Sequence, residues 1–148
     1  NFLKLTIIGE GYLDKQLRDY IKKKRLINNV FLKKFSNNHY PNYINSDFVI
    51  SCSKYEGFCN ILVEAIILNT LPISYNYPSG PSEILLQGKG GIIFNNLNPK
   101  IVAKQIIKVI ESPKELKKRL ATSQKFLWRF NHHKNFEKYL SIINRLLK

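Results

Sequence analysis

Apolar residues fall in two rhythms along this chain. Runs rich in β-branched and aromatic residues occupy positions 3–8 and 47–52 and end at Gly9-Glu10-Gly11 and at a polar loop, which predicts two buried strands. Shorter runs of the same kind at 30–32, 71–75 and 91–94 predict three more. Between them the period lengthens. Residues 14–24 place Leu17, Tyr20 and Ile21 on one helical face, and residues 60–69 carry Ile61, Leu62, Ala65, Ile66 and Leu68. Asn60 is the expected cap of that second helix, which should stop near Asn69, a residue that tolerates the left-handed conformation past a helix end. After Pro99, Ile101, Val102, Ile106, Ile107 and Ile110 form a clean stripe. Positions 113–148 predict one or two further helices, with Phe136, Tyr139, Leu140, Ile143 and Leu146 on an apolar face.

Strands alternating with helices over short connections predict an α/β fold, a parallel sheet with helices on both faces. Ligands of such sheets bind beyond the carboxyl ends of the strands, which directs attention to the loops after Ile8, Leu32, Cys52 and Tyr75. The length of 148 residues suits one domain, 1–148, with a single core. No apolar run reaches the length of a membrane-spanning helix, and the start has no pattern of a signal segment.

The formal net charge of +14 changes the picture, because it suits nucleic acid, an anionic membrane or a small phosphorylated ligand equally well. It is concentrated late, in Lys117-Lys118-Arg119 and Lys125, near Trp128 and Phe130. Cys52 and Cys59 provide neither a disulfide framework nor zinc spacing, even with His39, His132 and His133, so a reduced cytosolic setting without a metal is expected. His132 and His133 are read as exposed loop residues.

Three loops are candidates for chemistry. Gly9-Glu10-Gly11 resembles the start of a dinucleotide fingerprint, but Asp14 stands where that turn needs a small residue, so a tight strand-to-helix turn is the simpler reading. The loop and helix from Ser53 to Glu64 are richer. Glu56 precedes the helix, and Glu64 interrupts its apolar run, where a carboxylate without a hydrogen-bonding partner would be costly. The helix start offers free amides and a positive dipole end to an anion, and Gly57 permits close approach of a ligand to the backbone. This describes a phosphate flanked by two acceptors for hydroxyl groups, as in a nucleotide or a sugar. The plainer alternative has Glu56 capping the helix and Glu64 facing water. The third loop, residues 77–84, predicts a turn and a short helix capped by Ser82 or Ser79.

The stretch YEGFCNILVEA followed by PISYNYPSGPSEIL resembles the donor-binding signature of family 4 glycosyltransferases, with Glu56 and Glu64 matching their E-x7-E motif. LTIIGEG, NVFLKKF, YINSDFVIS and GKGGIIF fit the family's order, so the resemblance covers nearly the whole chain. It implies a retaining enzyme of GT-B fold, of which this chain is the Rossmann-like C-terminal half with extra C-terminal helices. By the same resemblance Glu64 and the helix start at Ile61 bind the nucleotide, with Gly9, Gly11, Lys33, Lys34 and Phe35 shaping its base side. Glu56 is the implied catalytic residue through its hold on the donor sugar, which also meets Gly57, Phe58, Cys59 and Asn60; no general base is assigned. Cys59 stands where the family usually has Pro or Gly, and Lys34 where it has Gly. The donor implied is a UDP-hexose or UDP-N-acetylhexosamine, used in bacterial glycan or glycolipid assembly, with no cofactor and no metal. The partners implied are that donor, an acceptor-binding N-terminal domain preceding Asn1 against which residues 135–148 pack, and an anionic membrane surface. The location implied is the cytoplasm, with peripheral attachment at the cytoplasmic face of the membrane; this fragment by itself is expected to be inactive. No nucleic-acid partner is expected on this reading. The alternative is a basic α/β module that binds nucleic acid or an anionic membrane without catalysis.

Overall fold

The computed structural model describes residues 3–147, so expectations that involve Asn1, Phe2 and Lys148 lie outside the described residues. Packing divides the chain into one unit that ends at His39 and another that begins at Tyr40.

In the first unit, β1 (Leu5–Ile8) and β2 (Val30–Lys33) pair in parallel, Leu5 opposite Val30 and Ile8 opposite Lys33. The crossover is α1 (Asp14–Lys23). Of the stripe expected there, Ile21 is buried while Tyr20 is exposed, with the Lys24 ammonium 5.6 Å from its ring centre. Arg25, at φ 56°, ends the helix: the Leu26 amide donates back to the Ile21 carbonyl at 3.0 Å, the bond of a Schellman cap.

The second unit runs α2 (Tyr40–Ile44), β3 (Phe48–Ser51), α3 (Asn60–Ile67), β4 (Leu71–Tyr75), α4 (Pro81–Ile84), β5 (Ile92–Phe94), α5 (Pro99–Ile110) and α6 (Pro113–Lys125). A 3-10 turn (Leu127–Phe130) and α7 (His132–Leu146) follow. β4 lies between β3 and β5 and is parallel to both. The expected parallel pairing is therefore present, but the hydrogen-bonded ladders form a two-stranded and a three-stranded sheet.

Strand alternation decides which face each residue serves. Leu71 and Ile73 of β4 join Ile92 and Phe94 of β5 in one cluster, covered by Val102 and Ile106 of α5 and Leu116 and Leu120 of α6. Ile93 points the other way, into the cluster formed by Leu62, Val63 and Ile66 of α3 with Tyr77, Ile84 and Leu85. Both faces are thus covered by helices, and β4 is buried from Leu71 to Ser74. Just before β5 the backbones come too close for any side chain: a Cβ on Gly91 would lie 2.8 Å from the Pro72 carbonyl oxygen.

Helix ends explain where the sequence reading held and where it slipped. Asn69 takes φ 62°, and the Thr70 amide donates to the Ala65 carbonyl at 2.8 Å, so α3 ends with Asn at the left-handed position, as expected. Its start differs, for Cys59 is the cap and Asn60 is already helical; no side chain caps the first turn. Burial of Cys59 in the core sets where the chain enters the helix and leaves the Asn60 side chain outside. α4 begins on Gly80, at φ 123°, with Pro81 in first helical position, so neither Ser79 nor Ser82 caps it. Only glycine reaches that dihedral cheaply, and proline arrives already set for the helix. His132 and His133 are exposed as expected, but they lie in the first turn of α7, which the Asn131 side chain caps by accepting from the Lys134 amide. Phe136, Tyr139, Leu140, Ile143 and Leu146 share one side of α7, and all are exposed.

Candidate functional site

Glu64 sits one turn inside α3, half-buried, and accepts a hydrogen bond of 2.8 Å from the Tyr43 hydroxyl. The partner that its burial demands is therefore supplied by α2, a helix that the hydrophobic pattern did not reveal. Tyr43 is itself buried, and its carbonyl accepts from the buried Thr70 hydroxyl at 2.8 Å. Thr70 follows the end of α3, so the helix that carries the carboxylate also anchors the residue that aims it. Burial, and then the bond to Glu64, push the Tyr43 phenol well above the ordinary tyrosine range, so it stays a proton donor.

Glu56 is half-buried in the loop between β3 and α3. A Cβ on Gly57 would meet open space, and Phe58 and Asn60 are exposed, so one side of this loop faces outward. Cys59 faces inward and is fully buried, its thiol 3.9 Å from the Ser51 hydroxyl oxygen. Burial pushes the Cys59 thiol up, and the neighbouring Glu56 adds to that rise. Tyr77, from the loop after β4, packs in the same cluster, and burial raises its phenol too. Its hydroxyl lies beside the Cys59 sulfur but makes no hydrogen bond of ordinary geometry. The loops after β3 and β4 thus meet at Cys59 and Tyr77.

The uncapped first turn of α3 has backbone amides that no side chain satisfies, at the positive end of the helix dipole. An anion placed there would have Glu56 before it and Glu64 one turn along. A carboxylate accepts only, so both residues are suited to hydroxyl groups.

In the first unit Gly9, Gly11, Lys33 and Lys34 line one concavity of about 280 Å³ together with Glu10, Asp14, Arg18 and Leu32. Lys33 is the last residue of β2, not part of a loop. Phe35 does not line this hollow; its ring lies against that of His39, centres 5.6 Å apart. The site thus contains residues that sequence reasoning did not assign: Tyr43, Thr70, Ser51 and Tyr77. Tyr77 stood in a loop already singled out, whereas no spacing signal marked Tyr43 as the partner of Glu64.

This architecture is the α/β fold of GT-B glycosyltransferase structures. TarM of Staphylococcus aureus superposes with a TM-score of 0.86 at 25% identity, over 97% of this chain and 29% of TarM. The pneumococcal O-GlcNAc transferase GtfA, solved with UDP and GlcNAc, superposes with a TM-score of 0.81 over 98% of this chain and 30% of GtfA; at 22% identity that likeness concerns fold alone. The model of the family "Glycosyl transferases group 1" matches residues 1–126, and the chain belongs to that family. A poly(ribitol-phosphate) alpha-N-acetylglucosaminyltransferase of Staphylococcus aureus (strain COL) is 31% identical over 114 residues, 76% of this chain and 23% of that relative. An N-acetylgalactosamine-N,N'-diacetylbacillosaminyl-diphospho-undecaprenol 4-alpha-N-acetylgalactosaminyltransferase of Campylobacter jejuni is 33% identical over 91 residues, 62% of this chain and 25% of the relative. The chain therefore spans about a quarter of the length of these two curated relatives.

Proposed function

We propose that this chain is the C-terminal, donor-binding domain of a retaining family 4 glycosyltransferase that uses a UDP-hexose or a UDP-N-acetylhexosamine in bacterial glycan or glycolipid assembly. The observation that carries the reading is Glu64, fixed by Tyr43 one turn inside a helix whose first amides no side chain caps. In this reading Glu64 holds the ribose hydroxyls, Glu56 holds the donor sugar near the reacting carbon, and the backbone from Gly57 to Ile61 receives the diphosphate. Transfer would leave a nucleoside diphosphate, whose growing charge the helix start and basic groups would stabilise. The names of both relatives specify alpha-linked transfer, and a TarM variant has been crystallised with UDP, which supports the donor class. An acceptor-binding domain upstream would complete the enzyme, and the exposed apolar side of α7 is the surface this chain would offer it. The basic helices suit a cytoplasmic enzyme that touches an anionic membrane peripherally. Titration calorimetry with UDP, UDP-glucose and UDP-N-acetylglucosamine tests the proposal. Absence of heat at millimolar ligand, with the upstream segment restored, would overturn it.

A further inference from the structure

We infer that the 3-10 turn Leu127–Phe130 is a positioning element for the sugar side of the site, with Phe130 and Arg129 as its positioning residues; the inference rests on the donor-binding reading above. The turn lies beyond residue 126, where the family match ends. It grips the loop after β3 and the helix α4 that follows the loop after β4. Toward the first, the Phe130 ring meets Phe58 edge-on, centres 5.8 Å apart at 60°, and Phe58 is two residues from Glu56. Toward the second, the Arg129 guanidinium donates to the Glu83 and Ile84 carbonyls at 3.3 and 3.4 Å, the last carbonyls of α4. The same guanidinium lies 5.0 Å from the centre of the Phe130 ring, so the two grips share one stacked pair. Leu127 and Phe130 also close the cluster that contains Cys59, Tyr77 and Ile84. The turn is in turn tied to α7, whose Asn135 side chain donates through Nδ2 to the Arg129 carbonyl at 2.9 Å.

The outward part of the loop is lightly held: the space beside Gly57 is open and Phe58 is exposed apart from this contact, while Glu56 leans on the Cys59 thiol, itself in the cluster that Leu127 and Phe130 close. A carboxylate must be held to within about half an ångström to grip hydroxyl groups selectively. Glu64 stands on α3, whose Leu62, Val63 and Ile66 share the cluster that the turn closes, but its carboxylate is aimed separately, by Tyr43 of α2. Loosening the turn should therefore weaken recognition of the sugar more than recognition of the nucleotide, which Glu64 and Tyr43 also hold. A purely structural role would weaken both together.

The test compares wild type, Phe130→Leu, Phe130→Tyr and Arg129→Lys by calorimetry with UDP, UDP-glucose and UDP-N-acetylglucosamine. Phe130→Leu and Arg129→Lys should weaken binding of the preferred UDP-sugar about three- to tenfold, the size of one aromatic pair, with UDP affinity unchanged within about twofold. Phe130→Tyr, which keeps the ring edge, should restore the wild-type ratio. Equal losses for UDP and UDP-sugar, or no loss for either, would overturn the inference. Wild type that binds no nucleotide would instead remove the donor reading and this inference with it. Amide exchange without ligand gives an independent readout: Phe130→Leu should speed exchange at Gly57, Phe58 and Cys59 more than within α3. Unaltered exchange at those three amides would overturn the inference whatever the ligand.

Discussion

Tyr43 and Glu64 stand 21 residues apart in sequence and share a 2.8 Å hydrogen bond in which the phenol donates and the carboxylate accepts. The bond resolves a conflict visible in the sequence alone, a carboxylate inside an apolar helix. Removing the donor with Tyr43→Phe should cost about 1–3 kcal/mol of stability, the usual price of a hydrogen bond to a charged group, as read by urea unfolding. Glu64→Gln removes the charge and one of the two acceptor oxygens proposed for the ribose. UDP affinity should then fall roughly ten- to a hundredfold by calorimetry, since bonds to a charged acceptor contribute about 1.5–3 kcal/mol each. Unchanged UDP affinity would contradict the role given to Glu64.

Glu56 should behave differently, because the sugar and not the nucleotide is its proposed ligand. Glu56→Gln is expected to leave UDP binding within about twofold and to weaken UDP-sugar binding at least about tenfold. In the complete enzyme, the same change should lower kcat more than it raises KM, since holding the sugar near the reacting carbon matters most in the transition state. A proportional loss for both ligands would place Glu56 elsewhere.

Alkaline pH offers a test that needs no ligand. Burial raises the Tyr43 and Tyr77 phenols and the Cys59 thiol above their ordinary values in the folded chain. A group raised on folding contributes stability that is complete below its unfolded value and is lost as pH climbs toward the folded one. Unfolding free energy should therefore decline from about pH 8, where an unfolded thiol begins to ionise, and more steeply above about pH 9, where unfolded tyrosines do. Tyr77→Phe should flatten the upper part of that decline. A level profile from pH 8 to 11 would refute the burial assigned to all three groups.

Gly91 has a role set by distance alone. A methyl group there would press on the Pro72 carbonyl, which belongs to the central strand and has nowhere to go. Gly91→Ala should destabilise the fold by about 1–3 kcal/mol, as overpacking of a tight interior does, and chemical denaturation would measure it. Gly57→Ala meets open space and should leave stability within about 0.5 kcal/mol.

How much of this was legible in the sequence depended on whether the cause was local. β4 and β5 were readable because helices cover both of their faces, which leaves most of their positions apolar. Asn69 was readable because a left-handed helix exit is a property of one residue. The start of α3 was misplaced by one residue, since Cys59 is fixed by packing against Tyr77 and Ile84, not by its own capping ability. Serine caps were expected for α4 because hydroxyls are common there, but the positive φ of Gly80 and the ring of Pro81 settled the matter. Tyr43 was out of reach for another reason: α2 is a five-residue helix with no apolar period to detect. The two carboxylates could be proposed from spacing, but what aims them comes from elements distant in sequence.

The last helix carries an energetic consequence. None of its residues belongs to either core cluster, and its apolar side chains face water, so its 15 residues gain almost nothing from tertiary packing. A helix of about that length is marginal on its own in water. Heating this chain should therefore produce two melting events, an early, shallow loss of helicity from the C-terminal end and a later cooperative collapse of the strands and the helices that cover them.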